Sequence, residues 1–407
     1  MKWKKHTWIW CLSAATLGLT AERRVIFPAN AKPVGPYSPG ILAGDFLYVS
    51  GQGAVAADGR IPEGFEAQTR QALENVRAVV EAAGLRLDHV AYSQIYLADM
   101  TNYEKLGRIW REYFASAPPA CAVVGVLRMP GDTPVEINAV AVRDAKRKRA
   151  VAVPGAPGPD FCTPVVLAGD RAFVSGVSGR DPDGRIPLDP EMQVELALGQ
   201  LERVLQAAGL EMRHLVFVNP YLTDKVPMQV MNRLYARRFE FGNTPARATI
   251  RVTSLPGGAG IEFTGVAVTD LKLRRAVRPR NMAPSATASP CVFAADTLYC
   301  SAKSGFIPGP RSGIYAATVE HQLRQTMRNL LDGLEEAELD FSHVVATNVY
   351  LDDMEDFARM NRVYAQYFPA QAPPTRTTVQ PTAPVERKPD ADERWPALEQ
   401  ISLIAVK

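Results

Sequence analysis

Three short stretches of this 407-residue chain, LYVSGQ (47–52), AFVSGV (172–177) and LYCSAK (298–303), recur at spacings of 125 and 126 residues. Longer segments keep the same register: EAAGLRLDHVAYSQIYLADM (81–100), QAAGLEMRHLVFVNPYLTDK (206–225) and EEAELDFSHVVATNVYLDDM (335–354). A period this long exceeds any solenoid unit, so each copy is a domain able to bury its own core. The expected divisions are a leader at 1–21 and copies at 22–148, 149–275 and 276–407. Within copy 1, Leu73, Val76, Val80 and Ala83 fall on one helical face of residues 64–84, and Gly84 closes that helix in a left-handed cap. Gly209 repeats the cap in copy 2, and Glu338 takes its place in copy 3. Asp189-Pro190 supplies an N-cap and a first-turn proline. A strand, a second helix near 102–114 and a closing hairpin follow, which makes each copy α+β.

The bulk numbers exclude more than they assign. A net charge of +3 is too mild to imply a nucleic-acid partner. The basic runs at 143–149 and 271–280 fall between copies and read as solvated linkers. MKWKKHT followed by the apolar WIWCLSAATLGL resembles an export leader, too short to span a bilayer. It predicts an exported protein with no membrane contact after cleavage; the alternative is a cytoplasmic protein with an N-terminal extension. Of five cysteines, Cys11 leaves with the leader, and Cys121, Cys162, Cys291 and Cys300 could pair in an oxidising compartment, although no spacing says so. His89, His214 and His343 recur once per copy in a helix-to-strand connection, where a surface residue is expected rather than a metal ligand. No cofactor motif is present.

The chemistry lies in a segment repeated three times: PPACAVVGVLRMPGDTPVEI (118–137), TPARATIRVTSLPGGAGIEF (244–263) and PPTRTTVQP (373–381). Arg247 and Arg376 occupy a position that is Cys121 in copy 1, read as a small replacement for a lost arginine. A guanidinium at a strand end binds carboxylates bidentately. Glu136 and Glu262, on the strand that follows, are suited to orienting a water or moving its proton. Ser50, Ser175 and Ser301 add a hydroxyl at one place in every copy. In a regular hairpin Glu262 faces residue 253, roughly 20 Å along the strand from Arg247. Arginine and glutamate of one site must then come from different copies.

The order of these motifs is similar to that of the RidA/YjgF/YER family of reactive intermediate (enamine/imine) deaminases. The resemblance rests on GPY at Tyr37, VSGQ, the helix ending in AAGL, and Pro-Ala-Arg with Leu-Pro before the glutamate strand, and it covers nearly all of 24–407. It implies a chorismate-mutase-like α+β fold, here three tandem domains closed into an intramolecular pseudo-trimer in a monomeric chain. Ligand clefts then lie between copies and take a small carboxylate with no metal or cofactor. It also implies an asparagine in the second helix, at Asn232 and Asn361 but Gly107 in copy 1.

The losses sort into clefts according to how copies pair. If each cleft takes arginine from one copy and the remaining groups from the copy before it, Arg247 and Asn232 meet Tyr37, Ser50 and Glu136. Arg376 and Asn361 meet Ser175 and Glu262. The degenerate cleft then collects Cys121, Gly107, Gln400 and Ser301. The opposite direction leaves a single arginine–glutamate cleft, Arg376 with Glu136. The first pairing is the expectation. The expected activity is hydrolysis of 2-aminoacrylate-like enamines and imines; the alternatives are a non-catalytic carboxylate-binding protein and an endoribonuclease.

Overall fold

A computed structural model describes residues 23–407 apart from 30, 32, 34, 157, 182 and 310–312. The expected leader at 1–21 lies outside the described residues. Copy 1 forms a six-stranded sheet in the order Arg24–Ile26, Gly40–Ala43, Phe46–Gln52, Val135–Val142, Val90–Leu97, Ala120–Gly125. Helices Phe65–Ala82 and Tyr103–Tyr113 pack on this sheet, and the same order recurs in the second and third sheets. Strand alternation divides the labour. Leu47 and Val49 join the core beneath the helices with Leu73, Val76, Val80 and Ile137. Phe46 and Tyr48 point the other way and pack with Phe173 of copy 2 and Val345 of copy 3. Each sheet is therefore covered on both faces, by its own helices and by the other two sheets. Tyr96, Tyr221 and Tyr350, equivalent in the repeat, share one cluster and line a cavity of about 100 Å³ where the three sheets meet. Tyr221 there donates to Gln94 Oε1 at 2.8 Å.

The three copies close into a ring. Ala120–Gly125 of copy 1 lies against Arg171–Ser178 of copy 2, Ala246–Arg247 against Thr297–Lys303 of copy 3, and Thr375–Val379 against Phe46–Gln52 of copy 1. Side chains reinforce it: Arg171, 1% exposed, donates to Ala294 O of copy 3 and pairs with its own neighbour Asp170.

Two expectations from the sequence change here. The closing hairpin is not a hairpin, because Val90–Leu97 lies between its two strands, parallel to Ala120–Gly125 and antiparallel to Val135–Val142. The parallel pairing needs a crossover, and helix Tyr103–Tyr113 supplies it. The long Pro-Gly connection then passes over a strand instead of turning tightly. Nor are the basic runs solvated linkers. Lys148–Val151 and Arg274–Val277 are the edge strands of the second and third sheets, where cationic side chains discourage further strand pairing. Lys148 also donates to Asp88 O and Ala117 O of copy 1, and Arg274 to Leu215 O of copy 2, so these edges fasten one copy to the one before it. Burial pulls the Lys148 ammonium down to about 8.

The helix punctuation is as expected. Gly84 and Gly209 have φ of 81° and 76°, and Asp189 caps its helix by accepting from Glu191 N. The recurrent histidines sit in the short turns before strands, but His89 and His214 are buried and not the surface residues expected; His214 and His343 each accept the backbone N–H three residues earlier. Glu338 holds φ of 61° without the freedom of glycine. Glu338→Gly is expected to stabilise the protein by about 1 kcal/mol, because it removes the left-handed penalty on a side-chain-bearing residue. Denaturant unfolding of the variant beside the parent checks this.

Candidate functional site

The direction of ring closure decides which residues meet. Backbone N–H of Arg376 donates to Ser50 Oγ at 2.9 Å, that of Arg247 to Ser301 Oγ at 2.8 Å, and that of Cys121 to Ser175 Oγ at 2.8 Å. Each arginine-position strand thus meets the copy after it, with copy 3 returning to copy 1. The expected pairing is overturned: Arg247 faces Ser301 and Gln400 rather than Ser50 and Glu136, and Arg376 faces Ser50 rather than Ser175. Among the described residues, one cleft alone unites an arginine of the repeated segment with a glutamate. The serines also have a different task from ligand contact. Ser50, Ser175 and Ser301 spend their protons on Ser38 O, Thr163 O and Ser289 O at 2.6–2.7 Å. They are inter-copy fasteners.

The copy 3–copy 1 cleft opens into a cavity of about 800 Å³ whose lining includes Tyr37, Gly51, Thr133, Glu136, Phe357, Arg376 and Thr378. Arg376 is 4% exposed and forms no ion pair among the described residues. Its Nη1 donates to Asn361 Oδ1 at 2.7 Å, and Tyr37, Phe357 and Tyr364 surround it with ring centroids 5.0–5.4 Å from Cζ. The helix beginning at Phe357 brings Phe357, Asn361 and Tyr364 to one face at helical spacing. Burial pulls the guanidinium pKa down, against the opposing pull of Tyr364, Tyr37 and Glu136. Glu136 reaches the cavity past Gly51, where a Cβ would lie 2.0 Å from its Oε1. Burial pushes the Glu136 carboxyl up to about 8, although the Thr378 N–H and Arg376 pull the other way. A buried cation with no ion pair among the described residues and a buried carboxyl raised to about 8 thus face one cavity.

The copy 2–copy 3 cleft keeps the anchor and loses the acid. Arg247 Nη1 donates to Asn232 Oδ1 at 2.8 Å and the guanidinium lies 5.1 Å from the Tyr235 ring. Gln400 stands where Glu136 stands in the first cleft and donates to Thr249 O at 3.0 Å.

The copy 1–copy 2 cleft is crossed by a disulfide and keeps a smaller cavity of about 250 Å³, lined by Cys162, Ser175 and Gly176 among others. Cys121 is bonded to Cys162, and these two residues occupy the positions of Arg376 and Tyr37. The reading of Cys121 as a small substitute is therefore corrected: it is half of a disulfide joining two copies. Phe161 enters the space an asparagine would need; a Cβ on Gly107 would lie 2.7 Å from its ring. Glu262 remains in this cleft, 2% exposed, its Oε1 without a hydrogen-bond partner among the described residues, and burial pushes it up to about 8. The expected degenerate set is thus divided: Cys121 and Gly107 belong here, Gln400 and Ser301 to the Arg247 cleft. A second disulfide, Cys291–Cys300, joins adjacent strands of copy 3.

Sequence reasoning missed Gly51, Phe161, Phe357 and Thr378. The signal for the disulfide was present, since Cys121 and Cys162 replace two groups that meet in the intact cleft.

A family model described as Endoribonuclease L-PSP matches residues 28–143, 156–269 and 279–387. The chain belongs to this family. It is a tandem RidA/YjgF protein of three copies, each an α+β domain. A RutC family protein of Pyrococcus horikoshii is 43% identical over 125 residues, which is 30% of this chain and 99% of that protein. The 2-iminobutanoate/2-iminopropanoate deaminase of Escherichia coli K12 is 35% identical over 114 residues, 27% of this chain and 89% of that protein. The crystal structure of the E. coli YjgF gene product matches at 34% identity with a TM-score of 0.29, covering 30% of this chain and 99% of its own. Each such relative therefore spans one copy of this RidA/YjgF chain.

Two expectations follow for this RidA/YjgF chain. The Cys121–Cys162 bond closes a separation of 41 residues and Cys291–Cys300 one of 9. Loop-closure entropy then predicts losses of about 4 and about 3 kcal/mol on replacing each pair by alanine; denaturant unfolding under oxidising conditions ranks the two. The second concerns Glu262, whose folded pKa of about 8 lies above the ordinary carboxylate value of about 4.3. The folded state keeps a proton that the unfolded chain releases, so this contribution is complete below about pH 4.3 and is lost as the pH rises through about 8. Glu262→Gln is expected to match the parent melting temperature near pH 4 and exceed it above about pH 8.

Proposed function

We propose that the copy 3–copy 1 cleft hydrolyses small enamines and imines that carry a carboxylate, releasing ammonia and a 2-oxo acid. The observation that carries this reading is the buried, unpaired Arg376 guanidinium sharing one cavity with Glu136. The deaminase relative supports the reaction class. The substrate carboxylate binds Arg376, which Asn361 holds in orientation. Tyr37, Phe357 and Tyr364 keep bulk water off that ion pair, which strengthens it.

Glu136 serves twice. Protonated, it gives its proton to the methylene carbon of a 2-aminoacrylate-like enamine; the C=C electrons form the new C–H bond and the nitrogen lone pair makes an iminium. As a carboxylate it then takes a proton from water adding to the C=N carbon. It returns that proton to nitrogen, the C–N bond breaks and ammonia leaves. The last hydroxyl proton goes back to Glu136, which restores the acid. The sum is enamine plus water to 2-oxo acid plus ammonia. A carboxyl with a pKa of about 8 suits both proton steps near neutral pH.

The two disulfides support export to an oxidising compartment and the closed ring supports a monomer; both belong to this proposal.

Ammonia release from enzymatically generated 2-aminoacrylate tests the reading. Glu136→Gln is expected to lower kcat/KM on the order of 10²–10⁴-fold. Arg376→Ala should lower it on the order of 10²-fold through loss of the charge-assisted carboxylate contact. The parent kcat/KM should fall as the pH rises through about 8, where Glu136 loses its proton. Ammonia release no faster than in buffer rejects the proposal.

A further inference from the structure

The copy 1–copy 2 cleft has lost its arginine and kept part of its space. The cavity of about 250 Å³ there is lined by Cys162, Pro164 and Gly176, which stand 125 residues after Tyr37, Pro39 and Gly51 of the large cavity. It is the same corner of the fold with its contacts changed. Where Arg376 offers a charge, Cys121 offers a sulfur bonded to Cys162. A space just below the roughly 300 Å³ of the smallest drug-sized pockets suits an occupant as large as one amino acid.

Access to the two sulfurs is unequal. Cys162 lines the cavity and is 8% exposed, whereas Cys121 is 0% exposed and is not among the lining residues. The second disulfide is an internal comparison. Cys291 and Cys300 belong to the core of copy 3, and a Cβ on Gly333 of helix Val319–Glu336 would lie 2.7 Å from Cys291 Sγ. Exchange requires an entering thiolate to reach a sulfur, so access chooses both the bond and the sulfur attacked. Asp160 also lines the small cavity, its side chain 80% exposed and paired with Arg111 at 2.8 Å. Acid and guanidinium together complement the ammonium and carboxylate of a zwitterion.

We propose that Cys162 is a covalent capture site for small aminothiols of the cysteine class, which enter this cavity and exchange with the bond to Cys121. The entering thiolate forms a bond to Cys162 Sγ. The Cys162–Cys121 bond breaks, its electron pair leaves on Cys121 Sγ, and Cys121 takes up the proton that the thiol released. One disulfide replaces another, so no oxidant or reductant is consumed. The Cys121 backbone N–H donates to Ser175 Oγ of the cavity wall, which holds the Cys121 thiol beside the adduct and able to expel it. Capture is therefore reversible, and while the adduct is held only the linker ties copies 1 and 2 covalently. The inference does not depend on hydrolysis in the Arg376 cleft.

The test incubates the folded full chain with cysteine, stops exchange with acid, which protonates the thiolates, and reads intact mass and a peptide map. The parent is expected to gain one cysteinyl group, on Cys162, with Cys121 a free thiol and Cys291–Cys300 intact. Glutathione, whose adduct exceeds the cavity, should label more slowly at the same concentration. Cys121→Ser cannot expel its adduct and should take one cysteinyl group from cystine at Cys162. The proposal is overturned if Cys162 stays unlabelled in parent and variant, if the parent carries the label on Cys121, or if glutathione labels as fast as cysteine. It is equally overturned if the two disulfides open together, and only as denaturant unfolds the chain.

Discussion

A buried serine hydroxyl holds each copy to its neighbour, and the rest of the molecule follows from its direction. It donates to a carbonyl twelve residues earlier in its own copy and accepts the backbone N–H of the arginine position in the other. With donor and acceptor both engaged and water excluded, the bond fixes strand register across the interface. Three repetitions turn copy 1 toward copy 2, copy 2 toward copy 3 and copy 3 toward copy 1. Reversing that sense would bring different side chains together in every cleft.

Once the sense is set, each cleft is built from two unlike halves, and fusion allows the halves to diverge independently. The Arg376 cleft retains acid, anchor and aromatic wall. The Arg247 cleft retains the anchor. The Cys121 cleft has a covalent bond at the positions of the arginine and tyrosine, with the buried Glu262 left behind. Three carboxyls, Glu136, Glu262 and Glu399, are pushed up to about 8 by burial, but the settings differ. Glu136 lines the 800 Å³ cavity, Glu262 is not among the residues lining the smaller cavity of its cleft, and Glu399 accepts from Thr326 Oγ1 within copy 3. A raised pKa therefore does not mark the site by itself; access to the cavity does.

Much of the fold was legible because it is local. The apolar face of Phe65–Ala82, the caps at Gly84 and Gly209, and the alternation in Phe46–Gln52 are written in nearest-neighbour spacing. The strand pairing of the supposed hairpin was not, because Pro-Gly signals a bend without saying whether the chain returns beside its last strand or crosses over another. The inventory of Arg376, Asn361, Tyr37 and Glu136 could be read from the repeat, but not their grouping. Both senses of ring closure satisfy the same local patterns, and concentration of the losses in one cleft was no guide to geometry. Gly51 illustrates a subtler limit: it needs no special φ, and its importance appears only when the carboxyl beside it is placed.

The ring is made from an open chain, so one of its three joints is crossed by no peptide connection. Copies 1 and 2 share a linker and a disulfide, and copies 2 and 3 share a linker. Copies 3 and 1 meet through noncovalent contacts such as Arg23 to Ala372 O and Arg128 to Glu355. That seam is where Arg376 faces Glu136. The substrate proposed above, held from both sides, would be a clasp on the seam, adding its binding energy to the joint that lacks a covalent tie. Under the proposed function, occupancy and ring closure would be one equilibrium, the ligand serving as the fastener of the open joint.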